Sequence, residues 1–173
     1  MINVLVTGGK GQLASSLKDL TRTSTKLNFL YKSSQELDIT NFKSLDTFFR
    51  SNSIDYCVNC AAYTAVDDAE TEVELATMIN EIGAKNISNV CEQYDTILIH
   101  ISTDFVFDGL KSHPYTELDS TNPQSIYGLS KLKGELEIHP FVKQRNIKTL
   151  IPPIIRNRLS ETIEKQSLEE ESN

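Results

Sequence analysis

The chain opens with a short apolar run, Ile2 to Val6, that passes directly into Thr7-Gly8-Gly9-Lys10-Gly11-Gln12 and then into leucines at helical spacing, Leu13, Leu17 and Leu20. A continuous apolar strand, a glycine turn and an amphipathic helix open a parallel sheet, because a strand without polar alternation is buried on both faces. Gly8, Gly11 and the small Ala14 fall in a G-x-x-G-x-x-A pattern. The first glycine relieves the turn, the second lets backbone approach a phosphate, and a small third residue lets helix pack on strand. Alone such a pattern is a weak signal. Its place between a strand and a helix is what points to dinucleotide binding.

The alternation continues along the chain. Leu27 to Tyr31, Tyr56 to Ala61 and Thr96 to Ile101 read as further strands. Phe42, Leu45, Phe48 and Phe49 form the stripe of a second helix, with Thr40 placed to cap it. Leu75, Met78, Ile79, Ile82 and Val90 line a longer helix, and another follows from about Ser125 to Ile138 after the turn-rich loop Asp104 to Asn122. This predicts an α/β, Rossmann-type doubly wound parallel sheet with strand order 3-2-1-4-5-6. A length of 173 residues suits one domain. We divide it into an NAD(P)-binding unit with its catalytic helix, residues 1–139, and a divergent polar tail, residues 140–173.

Composition narrows the function classes. A net charge of −7 leaves no basic stripe to neutralise phosphates, so no nucleic-acid partner is expected. No run reaches the roughly 18 apolar residues of a membrane span, and a first strand at Ile2 leaves no room for a signal peptide. Three cysteines without an export signal suggest a reducing compartment, hence a cytoplasmic protein. Cys57 and Cys60 have a Cys-x-x-Cys spacing, but on a strand side chains three apart point to opposite faces. The histidines His100, His113 and His139 show no ligand pairing. No metal site is expected.

The chemistry rests on Thr103, Tyr127 and Lys131. Tyrosine and lysine four apart share a helix face, so an ammonium can favour ionisation of a phenol whose ordinary pKa is near 10. A tyrosine can then supply a proton to a carbonyl oxygen, with Lys131 also bonding a cofactor ribose. Thr103, at the carboxyl end of the fourth strand, orients that oxygen. The expected cofactor is NADPH or NADH. The second strand ends in Tyr31-Lys32-Ser33-Ser34, with no acid before Glu36 to grip an adenosine 2′-hydroxyl. That leans towards NADPH. Asp38 is a candidate for the adenine edge, with Ile39, or else a turn residue.

The glycine turn with Tyr127-x-x-x-Lys131 resembles the extended short-chain dehydrogenase/reductase superfamily. Three segments resemble its dTDP-4-dehydrorhamnose reductase family: Asn59 to Asp67, Ile101 to Gly109 and Pro123 to Glu135. The resemblance implies reduction of the 4-keto group of dTDP-4-dehydro-L-rhamnose to dTDP-L-rhamnose, with a nucleotide-sugar substrate. It implies that Gly8, Gly11, Gln12 and Leu13 hold the pyrophosphate, and Asp38 and Ile39 the adenine. Ala61, Ala62 and Tyr63 would line the cofactor cleft beside the catalytic Thr103, Tyr127 and Lys131. Val66, Asp67 and Phe105 would touch the sugar nucleotide. Cys60 stands where the family usually shows alanine, and Phe105 where it often shows tyrosine. The regulatory β subunit of methionine adenosyltransferase, a protein-associating relative, is the main alternative. Related nucleotide-sugar epimerases differ along the fourth strand, and the 4,6-dehydratases carry Asp-Glu after the threonine where this chain has Asp104-Phe105.

The resemblance fades after about Ile138, so the fold is expected to be C-terminally truncated relative to the family. Pro152 and Pro153 argue against an interior strand there. Arg156 to Asn173 reads as polar and helix-like, without an apolar stripe. A sheet of four strands would leave strand four as an open edge, favouring association and a possible homo-oligomer.

Overall fold

In β1 (Ile2–Thr7), Val4, Leu5 and Val6 are all fully buried although successive side chains face opposite ways. Such a strand must be covered on both sides. The computed structural model describes residues 1–21, 26–116, 118–142 and 148–150, with side chains described as far as Ile138. β2 (Leu27–Lys32), β3 (Tyr56–Asn59), β4 (Ile97–Ile101) and β5 (Lys148–Leu150) complete a parallel sheet in the order β2-β1-β3-β4-β5.

Two expectations are corrected here. The third strand does not lie beyond the second; it pairs with β1, Val4 opposite Tyr56 and Thr7 opposite Asn59. The helix α2 (Phe42–Ser51) carries the chain back across β1, burying Leu45 and Phe49 in the same core as Leu5, Cys57 and Leu98. The winding therefore reverses between β1 and β3, where clefts open at the carboxyl ends of such sheets. Nor is β4 an open edge throughout, because Ile99, His100 and Ile101 pair with Lys148, Thr149 and Leu150. These three residues precede the proline pair, so the strand loses no ladder donor. The readings of Pro152, Pro153 and Arg156 to Asn173 lie outside the described residues.

Each face has its own core. On one, α1 (Gln12–Leu20) sets Ala14 and Leu17 against Val4, Val6, Tyr56, Val58 and Ile99. On the other, α2 is joined by α4 (Gly83–Gln93) and α5 (Ile126–Val142), which enclose Ile87, Val90, Leu98 and Ile138. Cys57 belongs to the second core and Cys60 packs against the first, as strand geometry requires. Among the described residues no helix is long and apolar enough to cross a membrane.

The long helix departs from its expected stripe. It begins as α3 (Val73–Thr77), widens into a π-helical turn over Met78–Ile82 and continues as α4. Leu75 and Met78 are 48% and 47% exposed, while Ala76, Asn80 and Ala84 take the buried face. A π turn inserts a residue and rotates the next turns of helix relative to those before it, and α5 passes so close that small side chains are needed. The start of α2 also differs: Asn41, not Thr40, is its cap, with Oδ1 accepting from Ser44 N at 3.1 Å.

Candidate active site

The glycine turn presses on its neighbours from both sides. Gly8 has φ +63°, and a Cβ there would lie 2.8 Å from the Ala61 backbone and the Cys60 carbonyl oxygen. Gly9, to which the sequence assigned no role, donates its N–H to Lys32 O at 2.8 Å, and a Cβ on it would meet Lys32 N at 2.9 Å. Gly11 N–H donates to Gly8 O at 2.8 Å and caps α1 without a side chain. A helix start leaves its first N–H groups without intrahelical acceptors and carries partial positive charge. Gln12 and Leu13 supply those groups here.

Beside this turn lies a cleft of about 350 Å³. Gly8, Gly11, Asp38, Ile39, Ala61 and Ala62 all line it, together with Lys10, Ser33, Ser34 and Cys60, which were not singled out for it. Backbone too close for a Cβ, a helix start without a side-chain cap and polar walls fit an anionic dinucleotide. Asp38 is also a turn residue: its Oδ1 accepts from Thr40 N at 2.9 Å and from Thr40 Oγ1 at 2.8 Å. Ile39 is buried and abuts Gly83.

Thr103 follows β4 and starts a single 3-10 turn, Asp104–Val106, its Oγ1 accepting from Phe105 N at 3.3 Å. Glu70 and Ser125 fix the entry of α5, accepting from Ile126 N at 2.8 Å and Gly128 N at 3.1 Å. Two glycines then let this helix drop onto its neighbours. A Cβ at Gly128 would collide with the Phe105 carbonyl oxygen, and one at Gly134 with that of Asn80. The close approach buries Tyr127, 9% exposed, near enough to Thr103 for that side chain to act on the phenol's ionisation. The Phe105 ring stands edge-on to it at 5.5 Å and 76°. Val66 packs in the same cluster as Tyr127, whereas Asp67 is exposed at the head of the turn Asp68–Glu70.

Lys131 is 3% exposed, and its ammonium donates to Ile101 O. Burial lowers its pKa to about 8, against the opposing pull of Glu135 and Cys60. Glu135, one turn further along α5, accepts from Ser102 Oγ. Burial raises its carboxyl above the ordinary range, while Ser102 and Lys131 lower it. Tyr127 does not show the depressed phenol anticipated from its lysine. Burial raises it, Thr103 partly offsets that, and Asp104 adds to the rise. Lys131, bonded to the Ile101 carbonyl, is not among the groups that act on it.

Sequence reasoning missed Asn80. From the π turn its Oδ1 accepts from Tyr63 N at 2.9 Å, while Nδ2 donates to Tyr63 O at 3.1 Å and to Ser130 Oγ at 2.9 Å. Ser130 in turn donates to Tyr127 O at 2.7 Å. One buried amide thus ties the loop after β3 to the helix bearing Tyr127 and Lys131. No periodic signal marked it, because Asn80 lies off the stripe of Leu75, Met78, Ile79 and Ile82. A second buried row crosses the sheet: Thr7 Oγ1 donates to Asn59 Oδ1 at 2.6 Å, and Asn59 Nδ2 to His100 Nδ1 at 3.1 Å. Burial holds the imidazole neutral.

A tyrosine and a lysine one turn apart on the helix before β5, with a threonine just after β4, mark the short-chain dehydrogenase/reductase class. Within it the match is narrower: residues 2–150 fit the family described as the RmlD substrate binding domain, and the chain belongs to that family. The dTDP-4-dehydrorhamnose reductase of Aggregatibacter actinomycetemcomitans is 38% identical over 135 residues, which is 78% of this chain and 46% of that protein. A crystal structure of a dTDP-4-dehydrorhamnose reductase from Clostridium acetobutylicum superposes with TM-score 0.79 at 38% identity, covering 87% of this chain and 52% of that one. The Bacillus anthracis enzyme, solved in complex with NADP, also gives TM-score 0.79, at 34% identity with coverage of 87% and 52%. The chain spans about half the length of these relatives.

Proposed function

We propose that the chain reduces the 4-keto group of dTDP-4-dehydro-L-rhamnose to dTDP-L-rhamnose with NADPH or NADH, in the cytoplasm. Residues 1–139 serve as the cofactor-binding and catalytic unit, and residues 140–173 as a divergent polar tail. The carrying observation is the packing of the Phe105 ring, two residues after Thr103, edge-on to the half-turn of α5 that bears Tyr127, with the buried Lys131 one turn further on. Gly8, Gly11 and the N–H groups of Gln12 and Leu13 hold the pyrophosphate. Asp38 and Ile39 flank the adenine; Ala61, Ala62 and Tyr63 wall the cleft. When bound, the dinucleotide supplies the hydride. Thr103 Oγ1 orients the keto oxygen and Tyr127 Oη gives it a proton. Lys131, with its proton held loosely near neutrality, exchanges its Ile101 bond for the ribose and the phenol. Val66, Asp67 and Phe105 contact the sugar nucleotide. A homo-oligomer is compatible with this arrangement.

Tyr127→Phe tests the assignment. The expected result is a rate lowered by about 10²–10⁴ with dinucleotide affinity nearly unchanged, measured by steady-state oxidation of NADPH with the keto sugar and by direct titration. Undiminished activity removes Tyr127 from the mechanism. Dinucleotide binding by the unmodified chain without any turnover favours the protein-associating reading instead.

A further inference from the structure

The ladders on either side of β4 end with His100 opposite Asn59 and Ile101 opposite Leu150. Ser102 and Thr103 lie just past them, and both are buried. Two side chains of α5, one helical turn apart, reach this strand exit. The Lys131 ammonium donates to Ile101 O, and Glu135 Oε1 accepts from Ser102 Oγ. The helix is firmly seated where the second hold begins: Gly134, next to Glu135, leaves no room for a Cβ against the Asn80 carbonyl. The two holds differ in what else is asked of them. Lys131 exchanges its strand bond for the ribose and the phenol when a dinucleotide binds. Glu135 can keep its own.

We infer that Glu135 is a positioning residue: through Ser102 it retains the exit of β4 after Lys131 has released Ile101, and so holds Thr103 in place. The inference rests on the catalytic reading above. Without dinucleotide the exit has both holds, and removal of Glu135 leaves one. With dinucleotide it has Glu135 alone, and removal leaves Ser102 and Thr103 to be ordered anew at each binding event. An interaction worth more in the bound state than in the free state appears as affinity. If Lys131 is absent, neither state has the lysine hold, and removal of Glu135 costs both states alike.

Direct titration of NADPH and of NADH into the purified chain, followed by nicotinamide fluorescence and without sugar substrate, tests this, with the tighter of the two as probe. Glu135→Ala is expected to weaken it about tenfold, the worth of one hydrogen bond to a charged group. Ser102→Ala should do the same, and the two changes together no more than either alone. Glu135→Gln keeps an oxygen that accepts from Ser102, and its affinity is expected to stay within about twofold of the unmodified chain. A carboxylate that served only the fold would cost affinity by the same factor with or without Lys131. Here the Glu135→Ala penalty is expected to fall below about twofold in the Lys131→Met background. Ser102→Ala removes a single oxygen and carries the test if Glu135→Ala fails to fold. Equal penalties in the two backgrounds, or additive effects of Ser102→Ala and Glu135→Ala, overturn the inference and leave the dinucleotide reading standing. Failure of the unmodified chain to bind either dinucleotide overturns both.

Discussion

The glycine turn and the helix α5 both bring backbone against backbone, but under different demands. At Gly8 the demand is conformational and steric together: φ is +63° and the Ala61 backbone stands 2.8 Å from any Cβ. At Gly128 and Gly134 the backbone is ordinary helix, and only the carbonyls of Phe105 and Asn80 forbid a side chain. The turn beside the cleft is thus shaped by its own backbone conformation as well as by the strand end it meets. The region around Tyr127 and Lys131 is shaped by what lies beneath a helix.

Alanine scanning of these positions can break the contrast. Gly134→Ala should have the largest effect, lowering unfolding stability by about 3 kcal/mol, the upper range for forced overpacking. Helix propensity alone would favour alanine by about 1 kcal/mol, so urea unfolding that shows a stabilised variant would mean α5 has room to spare. Gly8→Ala should cost about 2 kcal/mol, combining a left-handed residue with a backbone clash, and should weaken dinucleotide binding. Gly109 provides the control, because its φ is +75° with nothing within 4 Å of a Cβ. Its alanine variant should lose only the conformational part, about 1 kcal/mol, and a loss equal to that of Gly8→Ala would show the clash to be immaterial.

The smallest expected effect is a pH slope. Lys131 lies on α5 between the two close-packed glycines, and burial holds its pKa at about 8, below the unfolded value of 10.5. Between those values the unfolded chain binds the extra proton. The destabilising contribution is therefore full below about pH 8 and is relieved as pH rises towards 10.5. Unfolding of the native chain and of Lys131→Met at successive pH values isolates this group. Relative to the variant, the native chain should gain about 1 kcal/mol from about pH 7 to about pH 9. Parallel pH profiles would show that the ammonium is well compensated where it sits.

Strand positions were legible because a strand buried on both faces leaves an unbroken apolar run: β1, β2 and β4 differ from expectation by a single residue at one end, β3 by two. Gly8 was legible for the same local reason, since a left-handed turn after a strand needs glycine. The order of β3 was not. Nothing in Phe42 to Phe49 tells which face of the sheet that helix will cross; only the fit of Leu45 and Phe49 beside Leu5 decides it. β5 was obscured by prolines that fall just beyond its three residues. Asn80 was hidden by the π turn, which breaks the periodicity from which a buried face is read.

The row of Thr7, Asn59 and His100 has a kinetic consequence. Slipping a strand by two residues returns every side chain to its original face, so hydrophobicity alone scarcely penalises that error. Here such a slip would part Asn59 from Thr7 or His100 and leave polar groups unmatched in an apolar interior. These partners are separated by 52 and 41 residues along the chain. The row can close only after both long loops have closed, which places it late in folding and slows the search. A collapsed chain with misaligned strands then lacks the bonds that would hold it, and reopens to try again.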